Sequence, residues 1–337
     1  MGCLATKTGE NLVQVCDLTV TYVPERGMPV RALEGANFEV KPAEVIGILG
    51  ESGSGKSTLA QALLRVLPPL ARYERGGIRW CGSDLLAKSD SELRKIRGAE
   101  IALIPQDPAL SLNPVMRVGV QISEVLRAHM NMTRSERFRR VEELLREVGF
   151  DDPGQIGSAY PHQLSGGQRQ RVVIAQAIAC VPSLVIADEP TSKLDAPLQA
   201  EIMALMADIR LRHGVAFLVI SHDPTVFAGF ADRMLVMYAG RIIEQGNARE
   251  IFQRPLHPYT QALVDLGKEF AEKFDGRPRS KTFLPVISGD PPDLGCATAG
   301  CSFEPRCSER MQICTSSFPP DLIHQPSRHV SCFKYGN

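Results

Sequence analysis

The sequence predicts an α/β fold in which a mostly parallel sheet carries a helical insertion. An apolar strand at residues 45–49 runs into a glycine-rich segment, residues 50–58, and then into a helix. A second apolar strand, residues 184–187, ends in two carboxylates. Between these strands, residues 90–160 are mainly helical in pattern, and residues 166–245 return to alternating helix and strand. That alternation is typical of an α/β core.

The glycine-rich segment predicts a phosphate-binding loop. Its three glycines allow a tight turn in which successive N–H groups converge on one anion, and the helix expected at 56–66 directs its positive end to the same place. Lys56 can reach the β- and γ-phosphates of a nucleotide, and the Ser57 hydroxyl can join the Mg²⁺ shell. The alternative is a glycine-rich turn with a surface lysine. The candidate nucleotide-binding residues here are Gly50, Ser52, Gly53, Ser54, Gly55, Lys56, Ser57 and Thr58.

The carboxylates after the second strand are Asp188 and Glu189. Because adjacent strand residues point to opposite sides, we expect the two to have different roles. Asp188 suits Mg²⁺ through its water shell, and Glu189 suits polarising the water that attacks a γ-phosphate. The alternative is an ordinary acidic turn after a core strand.

A second candidate anion site precedes the acidic strand. A Ser-Gly-Gly turn leads into an apolar helix, so that a hydroxyl and backbone amides meet at a helix N-terminus. A single ATP does not need two phosphate sites in one chain. Head-to-tail pairing, in which this turn caps the γ-phosphate held by another subunit, is a natural solution. Its residues are Ser165, Gly166, Gly167 and Gln168.

With these motifs in this order, nearly the whole chain resembles the ATP-binding subunits of ABC transporters. The resemblance implies a P-loop, ABC-type nucleotide-binding domain with a mixed sheet core and a helical subdomain. It also implies that residues 50–58 are the Walker A motif and that residues 188–189 close the Walker B motif. ATP and Mg²⁺ are the implied cofactors, with Ser57, Gln106 and Asp188 around the metal.

Further positions take roles from the same resemblance. Gln106 matches the Q-loop residue that senses Mg²⁺ and faces membrane subunits, and residues 192–195 match the D-loop at a dimer seam. His222, after a strand at 216–220, matches the switch histidine that contacts the γ-phosphate. Tyr22 lies where the family places an aromatic ring on adenine, although a tyrosine after an alternating strand is also a candidate core residue. Lys193 departs from the small residue common in this family's D-loop, so an effect on dimer contacts or rate is open.

Composition limits the function classes. The net charge is zero and the pI is near 7, which argues against an electrostatic nucleic-acid binder. No apolar run approaches the ~18–20 residues needed to cross a bilayer, and no secretory signal is recognisable. We therefore expect a soluble chain that reaches a membrane only through its partners.

Two stretches resemble one subfamily, the importers of oligopeptides, dipeptides and nickel. They are residues 107–114, after the Q-loop residue, and the block from residue 257. The predicted organisation is a cassette at 10–255, with a helical subdomain at about 90–165, and a small Cys-rich C-terminal extension at 256–337.

The resemblance implies one ATPase subunit of a bacterial importer, peripheral on the cytoplasmic face of the inner membrane. The implied partners are a second, identical or homologous, ATP-binding subunit, two transmembrane permeases and an extracytoplasmic solute-binding protein, with no nucleic acid. Residues 106–120 are expected to couple to the permeases, with Leu110 and Leu112 at the contact. The alternatives are a soluble ABC ATPase acting on ribosomes or DNA and a regulatory nucleotide-binding module without turnover.

Five of the nine cysteines lie in the last part of the chain. A disulfide framework is disfavoured because nothing directs this chain to an oxidising compartment. Clustered thiolates instead suggest a metal site, either zinc or an iron–sulfur cluster. The resemblance implies a [4Fe–4S] cluster on four of them, with Zn²⁺ and no metal as alternatives and Cys296 as an extra thiol. The four cysteines are Cys301, Cys307, Cys314 and Cys332.

Overall fold

The structure is a computed structural model that describes residues 11–25, 27–273, 287–290, 292, 299–325 and 328–336. The strands are β1 (Val13–Tyr22), β2 (Val30–Val40), β3 (Val45–Leu49), β4 (Ala71–Trp80), β5 (Ser83–Asp84), β6 (Ile101–Ile104), β7 (Leu184–Asp188), β8 (Ala216–Ser221), β9 (Arg233–Tyr238), β10 (Arg241–Asn247), β11 (Leu322–Gln325) and β12 (Arg328–Val330). The helices are α1 (Lys56–Leu63), α2 (Asp90–Ile96), α3 (Pro108–Ser111), α4 (Val118–His129), α5 (Arg134–Glu147), α6 (Pro153–Ser158), α7 (Gly166–Ile178), α8 (Ala196–His213), α9 (Ala248–Gln253) and α10 (Pro258–Lys273). Within this part of the chain, no helix is long and apolar enough to cross a lipid bilayer.

The described residues form two compact units. The first contains residues 11–13, 40–44 and 79–219, and the second contains residues 14–39, 45–78 and the described residues from 220 onward. The predicted division of the chain between residues 255 and 256 stays a prediction.

The first unit contains the strands β6 and β7, which pair in parallel from Ile101↔Leu184 to Ile104↔Ala187. Strand β8 lies on the other side of β7. Residues 90–160, which were predicted to be mainly helical, contain helices α2 to α6 and also the short strand β6. Ile101 and Ile104 are buried, and four residues are too few to show an alternating pattern among helices.

The helical part of the first unit is built from α4, α5 and α6, which pack on one another, and α7 packs on α4 and α5. Leu126 of α4 and Leu144 of α5 are fully buried. Helix α5 begins with a capping box, in which Thr133 caps the backbone N–H of Glu136 and the Glu136 carboxylate accepts from the backbone N–H of Thr133. Helices α4 and α5 therefore lie within the residues 90–160 that the sequence predicted to be mainly helical.

The second unit contains a mixed run of strands in the order β11-β12-β10-β9-β3. Strands β3 and β9 are parallel, whereas β10 is antiparallel to both β9 and β12. A separate sheet has the order β2-β1-β4. Helix α1 ends at Leu63, three residues before the predicted end, and Arg65 takes a left-handed φ of 53°.

The C-terminal strands are joined to the sheet through a buried ion pair. Arg328 of β12 donates to the Glu244 carboxylate over 2.8 Å, and the two side chains are 4% and 0% exposed. The same carboxylate accepts the backbone N–H groups of Leu256 (2.9 Å) and His257 (2.8 Å). A buried ion pair is tolerated when further hydrogen bonds satisfy its charges, and here the Glu244 carboxylate is satisfied, whereas Nε of Arg328 is buried without a hydrogen-bond partner among the described residues. Both ends of the C-terminal segment are thereby attached to β10.

Candidate nucleotide-binding site

The phosphate loop, residues 50–55, connects β3 to α1 in the second unit. Gly53 and Gly55 adopt φ values of +79° and +100°, which L side chains rarely take. A Cβ on Gly50 would overlap the carbonyl oxygen of Met237, and a Cβ on Gly55 would overlap that of Ala32. The sequence predicted a tight turn, and the structure adds that two of its glycines are required by close backbone contacts.

Lys56 lies inside this loop. Its ammonium group donates to the carbonyl oxygens of Gly50 (2.7 Å) and Glu51 (2.8 Å) and lies 3.4 Å from the Ser54 hydroxyl. The side chain is 5% exposed, so these contacts hold it against the loop backbone and away from solvent. A buried ammonium at a helix N-terminus is a site for an anion.

Four other predicted site residues belong to the second unit, three of them near the start of α1 and one after β8. The Tyr22 hydroxyl, at the end of β1, lies 3.5 Å from the Thr58 hydroxyl. Ser57 is exposed in the first turn of α1, and His222 is exposed directly after β8 ends at Ser221. Tyr22 is half-buried, and its predicted contact with a bound nucleotide stays a prediction.

In the first unit, Gln106 and Glu189 meet although they are 83 positions apart. The Gln106 amide donates to the Glu189 carboxylate over 3.0 Å. Strand β7 ends at Asp188, and Glu189 has a left-handed φ of 47°. Asp188 is the last residue of the strand, and Glu189 lies in the turn that follows it. The different positions of the two carboxylates therefore come from the end of the strand, whereas the sequence suggested that they come from side chains alternating along a strand. Non-glycine residues in this conformation are strained and cluster at functional sites.

Lys193 forms an ion pair with Asp107, the residue after Gln106. This contact holds the pKa of Asp107 below its ordinary value, chiefly through the hydrogen bond from Lys193. Beside the pair lies a cavity of about 200 Å³ that the loop after β6, the start of α7 and residues 189–194 line. Lys193 thus connects residues 189–194 to the segment after β6 within one unit.

The Ser-Gly-Gly turn begins helix α7. The Ser165 hydroxyl accepts the N–H of Gln168 (3.2 Å), and the Gln168 side chain accepts the N–H of Ser165 (2.9 Å). Gly166 is exposed, whereas a Cβ on Gly167 would overlap the Leu198 side chain of α8. The serine is therefore a helix cap, and its hydroxyl retains a proton to donate to an anion. The predicted contact with a second subunit's nucleotide stays a prediction.

The expected contact residues Leu110 and Leu112 differ in burial. Leu110 is 86% exposed at the end of α3, but Leu112 is 1% exposed and belongs to the core. The expectation that both residues contact a partner is therefore wrong for Leu112. Only Leu110 has the exposed apolar surface that such a contact needs.

The predicted magnesium ligands are oxygen donors, the type that Mg²⁺ prefers. They are the Ser57 hydroxyl, the Gln106 amide oxygen and the Asp188 carboxylate. Ser57 belongs to the second unit and Gln106 and Asp188 to the first, and a magnesium site formed by all three stays a prediction.

The four cysteines assigned to a cluster are among the described residues and form no disulfide, whereas Cys296 lies outside them. The N–H of Cys301 donates to the carbonyl oxygen of Cys314 over 2.8 Å. Burial, with a smaller contribution from the neighbouring thiols, raises the pKa of Cys301 to about 11. No group of three or more His, Cys, Asp or Glu within the described ranges is arranged to hold a metal ion. The geometry therefore gives the predicted cluster no support.

A strand, a glycine-rich loop around a buried lysine, and a helix define a P-loop nucleotide-binding protein, and comparison with known proteins gives the family. The chain matches the family model "ABC transporter" at residues 33–192 and "Oligopeptide/dipeptide transporter, C-terminal region" at residues 243–314. It is 42% identical to the oligopeptide transport ATP-binding protein OppD of Escherichia coli K12, covering 98% of this chain and 95% of that protein. It is 41% identical to the dipeptide transport ATP-binding protein DppD of Bacillus subtilis 168, covering 96% and 95%.

Among solved structures, the chain is similar to the ATP-binding cassette MJ0796 in a dimeric post-hydrolysis state bound to ADP and Pi. The TM-score is 0.63 at 30% identity, over 70% of this chain and 99% of that one. The chain therefore belongs to the family of ATP-binding subunits of ABC transporters, in the oligopeptide and dipeptide branch. The sequence-based prediction of the family and fold class is confirmed.

Replacing Gly55 by Ala should destabilise the nucleotide-free protein more than replacing Gly53 by Ala. Both positions have a positive φ, so both substitutions incur strain of about 1 kcal/mol or more, but only a Cβ at Gly55 would overlap a backbone oxygen. Thermal unfolding of the two variants measures the difference. Equal melting temperatures would show that the contact with Ala32 does not constrain the loop.

Proposed function

We propose that this chain is the ATP-hydrolysing subunit of an importer for oligopeptides, dipeptides or a related solute such as nickel. The observation that carries the proposal is the phosphate loop, in which a buried Lys56 ammonium lies against the loop backbone. The nearly full-length similarity to OppD and DppD supports the transport assignment and favours import over action on ribosomes or DNA. Purification from membranes with identification of co-purified permeases tests it.

The nucleotide-binding roles belong to this proposal. Residues of the phosphate loop would bind the phosphates of ATP, and Tyr22 would stack on the adenine ring. Magnesium, held by Ser57, Gln106 and Asp188, would neutralise charge on the β- and γ-phosphates. The side-chain contact between Tyr22 and Thr58 supports the adenine assignment, since Thr58 follows the loop lysine by two positions.

Glu189 is proposed as the general base. Its carboxylate accepts a hydrogen bond from Gln106, and this contact fixes the orientation of a side chain that would take a proton from the attacking water. His222 would contact the γ-phosphate and donate a hydrogen bond to it. The exposure of His222 supports this role, because an exposed side chain can reach a ligand.

Pairing of two ATP-binding subunits would complete each site. Ser165, Gly166, Gly167 and Gln168 of one subunit would cap the γ-phosphate bound by the other. The exposed amide end of α7 supports this arrangement, because a helix N-terminus attracts anions. Closure of the pair would move two permeases at the cytoplasmic face of the membrane, and an extracytoplasmic binding protein would deliver the solute.

Glu189→Gln should retain ATP binding but lose turnover, because an amide cannot accept the proton of the attacking water. We expect hydrolysis to fall about 10²–10⁴-fold, the usual contribution of a general base, and ATP to trap a dimer. Lys56→Ala should lose nucleotide binding itself. Sedimentation and ATPase assays measure both effects, with Glu250→Gln in the exposed first turn of α9 as a control. A Glu189→Gln protein that stays monomeric in saturating ATP, alone and with a partner ATPase, would contradict the closed pair.

Leu110→Asp should reduce solute uptake while leaving the ATPase activity of the isolated subunit unchanged. The reason is that Leu110 is exposed in the segment proposed to contact the permeases. Leu211→Asp changes an equally exposed leucine on α8, at 83% exposure, and is the matched control. Uptake into cells and ATPase activity in vitro are compared. A parallel loss of both activities in Leu110→Asp would mean that the segment has a structural role.

We also propose that Cys301, Cys307, Cys314 and Cys332 hold a [4Fe–4S] cluster, with Zn²⁺ as the alternative. The support is the spacing of the four cysteines and their lack of disulfides, and not an arrangement of the described side chains around a metal ion. Thiolates are the ligands of both metals. The cluster would have a structural role in the extension.

Protein purified without oxygen should be brown, with absorbance at about 400 nm and about four irons per chain. Cys307→Ser should lose the iron, whereas Cys16→Ser, which changes an exposed cysteine of β1, should retain it. Elemental analysis measures the metal. Colourless protein without iron would exclude the iron–sulfur cluster. One zinc per chain would show that the four cysteines bind Zn²⁺ instead.

A further inference from the structure

Glu51 in the phosphate loop contacts two residues far along the chain. Its backbone N–H donates to the Tyr259 hydroxyl over 2.8 Å. Its carboxylate accepts two hydrogen bonds from Arg306, 2.7 Å from Nη1 to Oε2 and 2.9 Å from Nη2 to Oε1. Arg306 is separated from Glu51 by 255 positions and lies in the C-terminal segment. The loop is therefore bound by the extension through both its backbone and its side chain.

Arg306 is itself held rigidly. Its side chain is 4% exposed, and it also donates to the Tyr238 hydroxyl (3.3 Å) and to the carbonyl oxygens of Ser288 (3.1 Å) and Ile287 (3.3 Å). The hydrogen bonds to Glu51 raise the pKa of Arg306, so the guanidinium is charged at every accessible pH. A planar guanidinium fixed in this way sets the direction as well as the distance of a paired carboxylate.

Aromatic rings enclose the contact. Phe303 packs edge-on against Tyr238 and Tyr259, with ring centroids 5.2 and 5.4 Å apart. Tyr238 and Tyr259 also contact each other at 4.6 Å. The Arg306 guanidinium carbon lies 5.9 Å from the Tyr238 ring centroid and 6.0 Å from that of Phe303, and hydrogen bonds are stronger in such low-dielectric surroundings than in water.

The same residue is bound from inside the loop. The Glu51 carbonyl oxygen accepts a hydrogen bond of 2.8 Å from the Lys56 ammonium. The position of Glu51 therefore affects the position of the lysine that would bind phosphate. An unpaired carboxylate at this place would also repel a polyphosphate, and the Arg306 charge compensates it. Glu51 therefore links the extension to the nucleotide-binding lysine.

We propose that Arg306 is a positioning residue for the phosphate loop, through which the C-terminal extension sets the affinity of the loop for the phosphates of a nucleoside triphosphate. This inference rests on the proposed nucleotide-binding function. The C-terminal extension would thus influence nucleotide affinity, and this role is separate from any binding of a metal by its cysteines.

The test measures binding of a fluorescent ATP analogue with Mg²⁺ to the full-length chain, together with kcat and KM for ATP. Arg306→Gln should weaken binding about ten-fold, or about 1.4 kcal/mol, because Glu51, and with it the Lys56 ammonium that its carbonyl oxygen binds, is no longer held in place. The affinity of Arg306→Lys should lie between that of the unchanged protein and that of Arg306→Gln, because an ammonium keeps the charge but not the fork of donors. The effect should be seen in KM, with kcat changed less than about two-fold, because Arg306 does not touch the nucleotide.

Arg310→Gln is the matched control, since Arg310 is 65% exposed in the same segment and pairs with Glu304 at 3.6 Å. Its binding and KM should equal those of the unchanged protein. Binding by Arg306→Gln within about two-fold of the unchanged protein, or a lower kcat at constant KM, would overturn the proposal. Failure of the unchanged chain to bind nucleotide would instead contradict the proposed function.

Circular dichroism shows whether Arg306→Gln folds. If it does not, Glu51→Gln still tests whether the contact between Arg306 and Glu51 positions the phosphate loop. Removing a negative charge beside a phosphate site tightens binding if charge alone matters. If the contact with Arg306 positions the loop, losing that contact weakens nucleotide binding. We expect binding about three- to ten-fold weaker, since an amide retains only part of a charged hydrogen bond. Tighter or unchanged binding would overturn the role of Arg306.

Discussion

The phosphate loop depends on backbone contacts that leave no room for side chains. The parallel register of β3 and β9 pairs Leu49 with Val236, so that Gly50 comes to lie against Met237. A side chain at position 50 would separate the loop from β9. Because the register fixes this contact, the place of the loop, and with it that of Lys56, is determined by strand pairing and not by the loop residues alone.

The same register of β3 and β9 places residues of the C-terminal segment next to the phosphate loop. Tyr238 directly follows Met237, and its ring and hydroxyl contact Phe303 and Arg306. Residues that come after the cassette in sequence are therefore neighbours of the loop in space. A contact such as Arg306–Glu51 joins positions 255 apart, and no local pattern of residue types reveals it.

The sequence predicted what local patterns encode. Apolar runs predicted β3, β7 and β8 to within one residue, because fully buried strands are continuous apolar segments. Strand β6 was not predicted, since its four residues lie among helices. Leu112 was placed on the surface because a short apolar segment between prolines does not show which of its side chains face inward. The left-handed φ of Glu189 arises from the turn after β7, and residue type does not indicate it.

Polar contacts join the described part of the C-terminal segment to the sheet. Glu244 of β10 binds backbone N–H groups at 256 and 257 and the Arg328 side chain, so one buried carboxylate holds both ends of the segment. Burying this charge is favourable only while all of these donors are present. The segment between these ends carries Phe303 and Arg306, which complete the aromatic cluster around Tyr238. Arg306 in turn holds the side chain of Glu51, so these polar contacts extend from β10 to the phosphate loop.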